Sequence, residues 1–170
     1  ALWDLSPENI IKAQQQCLKL TLNRGTYGQP IPQTGMTLLP VIDGEIWPHS
    51  PINALRNGEA AAIPMMVGCT RDERAFFMKV PGAEHLQNRG ETKDLDKLSL
   101  IKRCEINLPG MGELAANLYE KTVRENKPNA GYTDIYSAFE GDRYFRIPTL
   151  RIAELQSAHS NQLFMFQFNW

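Results

Sequence analysis

Residues 66–78, "MVGCTRDERAFFM", pass from an apolar run into four consecutive polar residues, Thr70, Arg71, Asp72 and Glu73, and become apolar again at Phe76 and Phe77. With the preceding "AAIPM" the apolar part is continuous, not alternating, which fits a strand of a parallel sheet covered on both faces. A strand that ends in charge either emerges into solvent or delivers a carboxylate to a site.

The neighbouring segments carry the grammar of an α/β protein. "SPINALRNG", residues 50–58, offers Ser50 as cap, Pro51 at the first helical position and Gly58 as the stop of a short helix. Pro148 opens a second helix carrying Leu150, Ala153 and Leu155, which Asn161 helps to close before the aromatic strand "QLFMFQFNW" at 162–170. Two strands, at 64–69 and 162–169, each follow a helix, so the expected fold class is α/β with a parallel sheet.

Further out, "SPENIIKAQQQCLKL" predicts a helix over 6–20, with Ser6 and Pro7 at its start and Ile10, Ile11, Leu18 and Leu20 on an apolar face. Residues 24–35, dense in Gly and Pro, read as a loop. "LPVIDGEIWP" places Asp43 and Gly44 between short apolar runs and predicts a small hairpin. From residue 93 the pattern is helical, with Leu95, Leu98 and Ile101, then Leu114, Leu118 and Val123, on apolar faces interrupted by "NLPGMG" and ended at Pro128. A chain of 170 residues is long enough for one domain, here residues 1–170. Its last strand stops at Trp170 with nothing after it to cover the strand, the expectation for a fragment of a larger domain.

Composition narrows the partners. A net charge of -1, with 22% charged and 42% hydrophobic residues, gives no electrostatic footprint for nucleic acid or an anionic membrane. No apolar run reaches the roughly 20 residues that span a bilayer. Cys17, Cys69 and Cys104 form no CxxC pair, so neither a disulfide framework nor a zinc site is expected, and a reducing, cytoplasmic compartment is favoured. His49, His85 and His159 lie at no metal-ligand spacing, and no Gly-rich phosphate loop occurs, so no metal or cofactor is expected. No serine sits in a G-x-S-x-G elbow. Asp72 and Glu73 are adjacent, so their side chains diverge, which disfavours a pair of carboxylates straddling one bond. By residue chemistry alone, a salt bridge or turn cap with Arg71 or Arg74 accounts for either one.

Three motifs in order, "P-V-x-D-G" at 40–44, "G-x-x-x-D-E" at 68–73 and "F-R-x-P" at 145–148, resemble the type B carboxylesterases, the bacterial para-nitrobenzyl esterase group in particular. The likeness is strongest over 39–77 and 142–170 and corresponds to the C-terminal third of such an enzyme. It implies part of an α/β-hydrolase fold, a Ser-Glu-His triad acting on small carboxylic esters without a cofactor, and Glu73 as the triad acid, with Asp72 and Arg71 in support. Because chain order in this fold runs nucleophile, acid, histidine, the serine is expected before Ala1 and the histidine after Trp170, in the remaining parts of the same fold. The segment alone is then inactive.

The family commonly has Gly after the acid. Here Arg74 stands there, and a guanidinium beside Glu73 would hold it ionised while competing with histidine for it. Two other readings stand beside the enzyme: a cholinesterase-like adhesion or binding domain without catalysis, and a self-sufficient small α/β binding domain.

Overall fold

The structure, a computed structural model, describes residues 2–21, 40–75 and 95–169. The loop expected at 24–35, His85, Phe76 and Phe77, and the side chains of Cys17, Leu18 and Leu20 lie outside the described residues. Among these, the elements after a short 3-10 turn are α1 (Pro7–Thr21), α2 (Pro51–Arg56), β1 (Met65–Thr70), α3 (Lys97–Asn107), α4 (Gly112–Asn126), α5 (Tyr132–Gly141), a π-helical segment (Asp142–Arg146), α6 (Ile147–Ser157) and β2 (Leu163–Phe168). Contacts divide the chain into two units, Ala1–Pro48 and His49–Trp170.

In the first unit, α1 starts where Pro7 predicts it, with the Asn9 N–H 3.4 Å from Ser6 Oγ. Ile10 and Ile11, expected on its apolar face, are solvent-exposed. The hairpin expected around Asp43–Gly44 does not form, because residues 40–48 contain no ladder. Instead Asp43 Oδ1 accepts from the N–H groups of Glu45, Ile46 and Trp47 at 2.9–3.0 Å, while Gly44 takes φ +81°. Those three amide bonds hold the Asp43 carboxyl below its ordinary pKa, so the turn is organised by a side chain and not by strand pairing.

In the second unit, α2 closes in a Schellman motif: the Gly58 N–H donates to Leu55 O and the Glu59 N–H to Ala54 O, both at 3.0 Å, with Gly58 at φ +77°. The turn that follows is held by Gln156 of α6, fully buried, whose Nε2 donates to Ala60 O at 2.9 Å and Ile63 O at 3.1 Å. It leads into β1, which pairs in parallel with β2 from Met65↔Leu163 to Thr70↔Phe168. The parallel α/β arrangement is therefore as expected. The burial is not: in β1 only Cys69 is buried, and Met66, Phe164, Phe166 and Phe168 are exposed. Of the described elements, α6 and the π segment lie against the strands, and the side chains of Met66, Phe164, Phe166 and Phe168 remain uncovered.

The core sits among helices α3, α4 and α5, where Leu100, Cys104, Ala115, Ala116, Ile135, Tyr136 and Phe139 are buried together. Of the expected faces, Leu95, Ile101 and Val123 pack against this core, while Leu98, Leu114 and Leu118 are exposed and Cys104, Ala115 and Ala116 help to fill the contact instead. Small side chains let the helices approach closely, and Gly112 shows how closely: a Cβ there would come within 2.6 Å of the Glu105 backbone. Glu105 completes the joint by accepting from the Gly110 and Gly112 N–H groups at 2.6 and 2.8 Å. Tyr119 meets Phe139 edge-on at 5.4 Å.

Helix α5 does not stop before Pro148, as expected, but runs into α6 through the π segment. The Ile147 N–H donates to Asp142 O, five residues back. Proline lacks an N–H and its ring crowds the carbonyl four residues earlier, so a widened turn lets the helix carry Pro148 without breaking.

Candidate active site

The site is built from the carboxyl end of β1 and the turn it enters. The Arg71 N–H donates to Phe168 O at 2.9 Å, so the turn starts pinned to the end of β2. Ligand and catalytic groups gather beyond such strand ends in open α/β sheets. Gly68 lies opposite Phe166 in the ladder, and a Cβ on it would meet the Phe166 ring at 2.6 Å. The glycine of the "G-x-x-x-D-E" motif thus makes room for an aromatic on the neighbouring strand.

Glu73, half-buried, folds back onto the last residue of β1. Its Oε2 accepts from both the Thr70 N–H, at 2.9 Å, and the Thr70 hydroxyl, at 2.6 Å. The Thr70 hydroxyl, then its N–H, hold the Glu73 carboxyl below its ordinary pKa against a small opposing effect of burial. Among the described residues Oε1 takes no hydrogen bond. One carboxylate oxygen is fixed and the other is open.

Arg71 and Asp72 do not touch Glu73. They pair with each other, Arg71 Nε to Asp72 Oδ2 at 2.8 Å, on the exposed outer side of the turn, while Asp72 O accepts from the Ala75 N–H. Asp72 and Glu73 engage different partners, as adjacent side chains in a turn must. Arg74 also leaves Glu73 alone: its Nη2 lies 3.8 Å from Oε2 of Glu140, and its guanidinium sits 5.4 Å from the Tyr144 ring centroid. Glu140 is buried and also receives Arg143 Nε at 3.0 Å, while Arg143 stacks on Tyr144 at 3.9 Å. The Arg74 guanidinium thus helps tie the turn to α5 and the π segment.

Reading residues by type passed over Thr70 and Glu140. The spacing T-x-x-E at 70–73 was the available signal for the first, since a Glu three residues after Thr commonly reaches back to its N–H. Nothing local marks Glu140, whose partner Arg74 is distant in sequence. His49 pairs with Glu59 at 3.2 Å, and His159 Nε2 lies 3.0 Å from Arg56 O, both away from Glu73. Among the described residues no group of three or more His, Cys, Asp or Glu could hold a metal ion, and no helix is long and apolar enough to cross a membrane.

The sequence profile of the carboxylesterase family matches residues 2–170. The chain belongs to the carboxylesterase family. Para-nitrobenzyl esterase of Bacillus subtilis is 25% identical over 169 residues, 99% of this chain and 29% of the esterase. Acylcarnitine hydrolase of Mus musculus is 22% identical over 75% of this chain and 22% of the hydrolase. Two solved structures of PNB esterase superpose with TM-scores of 0.58 and 0.56 at 22% and 20% identity, covering 99% of this chain and 29–30% of theirs. The fold is that of part of an α/β-hydrolase, and this carboxylesterase chain spans less than a third of the relatives' length.

Proposed function

We propose that this chain is the acid-bearing segment of a serine carboxylic ester hydrolase, one part of a single α/β-hydrolase domain, with Glu73 as the acid of a Ser-Glu-His triad. The observation that carries the reading is the carboxylate at the end of β1 with Oε2 held by Thr70 and Oε1 without a hydrogen bond from the described residues. Membership of the carboxylesterase family supports the reaction class. The names of the relatives, a para-nitrobenzyl esterase and an acylcarnitine hydrolase, support carboxylic esters as the substrate class.

In this reading Oε1 accepts the Nδ1–H of the triad histidine, fixing its tautomer so that Nε2 takes the proton of the nucleophilic serine. The serine attacks the ester carbonyl, the alcohol leaves with the proton returned by the histidine, and water hydrolyses the acyl-enzyme by the same steps. Glu73 stays ionised throughout and stabilises the imidazolium; its depressed pKa suits that role. Arg71 and Asp72 support it through the backbone of the turn. Serine and histidine come from the remaining parts of the domain, which also cover the apolar faces of β1 and β2. Cys69 and Cys104, both free and buried, support a cytoplasmic location.

Fluorophosphonate labelling with peptide mapping tests this reading. The full-length polypeptide containing this segment is expected to label on one serine, and Glu73→Gln to slow that labelling by about three orders of magnitude or more. Equal labelling rates would remove Glu73 from the mechanism. A full-length protein that takes up no probe would leave the family's non-catalytic members as the better comparison.

A further inference from the structure

We propose that Thr70 is a positioning residue for the triad acid: its N–H and hydroxyl converge on Oε2 of Glu73 and so select Oε1 as the oxygen presented to the histidine. The inference rests on the assignment of Glu73 as the acid and deepens it. A glutamate has three rotatable bonds and two equivalent oxygens, so an unrestrained side chain would present either oxygen over a range of directions. Here one oxygen is bound twice, at 2.9 and 2.6 Å, by a residue that is itself the last of β1 and paired with Phe168. The shorter contact lies in the range of a charge-assisted O–H···O⁻ bond. The sheet edge thereby sets the direction of the carboxylate, and Arg74, engaged with Glu140, does not pull it away.

The alternative is a capping box that merely starts the next turn. In that motif the glutamate reaches back to the threonine N–H, as Glu73 does, and the threonine oxygen accepts from the backbone N–H three residues on. Thr70 instead donates its hydroxyl proton to the carboxylate. A cap shapes the backbone; this bond orients the acid.

The two roles separate in kinetics. In the full-length protein, assayed on a chromogenic para-nitrophenyl ester, Thr70→Val is expected to lower kcat about tenfold at unchanged KM, the size of one hydrogen bond to a charged group. Without the hydroxyl the carboxylate holds more of its charge towards the histidine and stabilises the imidazolium more, so the histidine pKa rises and the acidic limb of the kcat profile, which reports it, moves to higher pH. Thr70→Ser, which keeps the hydroxyl, restores both. Valine is isosteric and suits a strand end; thermal midpoints measured on each variant separate loss of fold from loss of alignment. If Val does not fold, Thr70→Ala must reproduce the kcat loss. Wild-type kcat and acidic limb in Val or Ala, in an enzyme that Glu73→Gln inactivates, would overturn the role of Thr70 and leave that of Glu73 standing. Retained activity in Glu73→Gln would overturn both.

Discussion

On the proposed reading, two side chains at one turn, Glu73 and Thr70, carry the chemistry, and their sequence neighbours carry something else. Glu73 was legible as a carboxylate at a strand end, yet its chemistry alone did not distinguish it from Asp72. What separates them is direction: Asp72 meets Arg71 in solvent, while Glu73 folds back under Thr70. Arg74 was the residue whose effect the sequence left open, because adjacency to Glu73 does not say where a long side chain goes. Among its partners are Glu140 on α5 and Tyr144 in the π segment, reached only through the tertiary fold. Replacing it should therefore cost stability and spare chemistry. Arg74→Ala is expected to leave kcat within a factor of about two and to lower stability by about 1 kcal/mol, a modest figure because the ion pair is long and partly solvated. A loss of kcat of tenfold or more at unchanged stability would show that the guanidinium acts on Glu73 after all.

Elements with strong end signals were readable, and faces were not. Pro51 and Gly58 bracket α2 because a proline fits the first helical turn and only glycine relaxes at φ +77°. The helices after residue 93 were found by their period, and Leu95, Ile101 and Val123 do face the core, but the leucines at 98, 114 and 118 are exposed. Ala115, Ala116 and Cys104, too small to mark a face by hydrophobicity, make the contact because close packing rewards shape as well as apolar area. The π segment was missed for a related reason. A proline in sequence signals a helix start, and only the widened turn before it allows the helix to continue. The α3–α4 joint gives the element-scale prediction. Gly112→Ala pushes a Cβ into the backbone at Glu105, and about 1–3 kcal/mol of stability should be lost in denaturant unfolding. An unchanged midpoint would mean that the helices separate freely at this point.

At the scale of the whole molecule, the parallel pair of strands and the α/β class were legible, while the cover on the sheet was not. Continuous apolar character at Met65–Cys69 reads as burial on both faces, yet Met66 and, on the aromatic strand beside it, Phe164 and Phe168 are exposed in this chain, which spans 29% of the Bacillus subtilis relative. On the proposed reading those side chains are covered by the rest of the α/β-hydrolase domain. The 170-residue chain by itself should then show no ester turnover and should self-associate through its open strand edges in sedimentation velocity. A monomer with inhibitable serine-esterase activity would contradict that picture. The central claim, however, is that Glu73 is the triad acid, and it meets its most direct test in kcat/KM of the full-length protein with Glu73→Gln. Loss of about four orders of magnitude at an unchanged thermal midpoint is the predicted result, since an amide in place of the carboxylate leaves the histidine in the wrong tautomer. Activity within tenfold of wild type would contradict it.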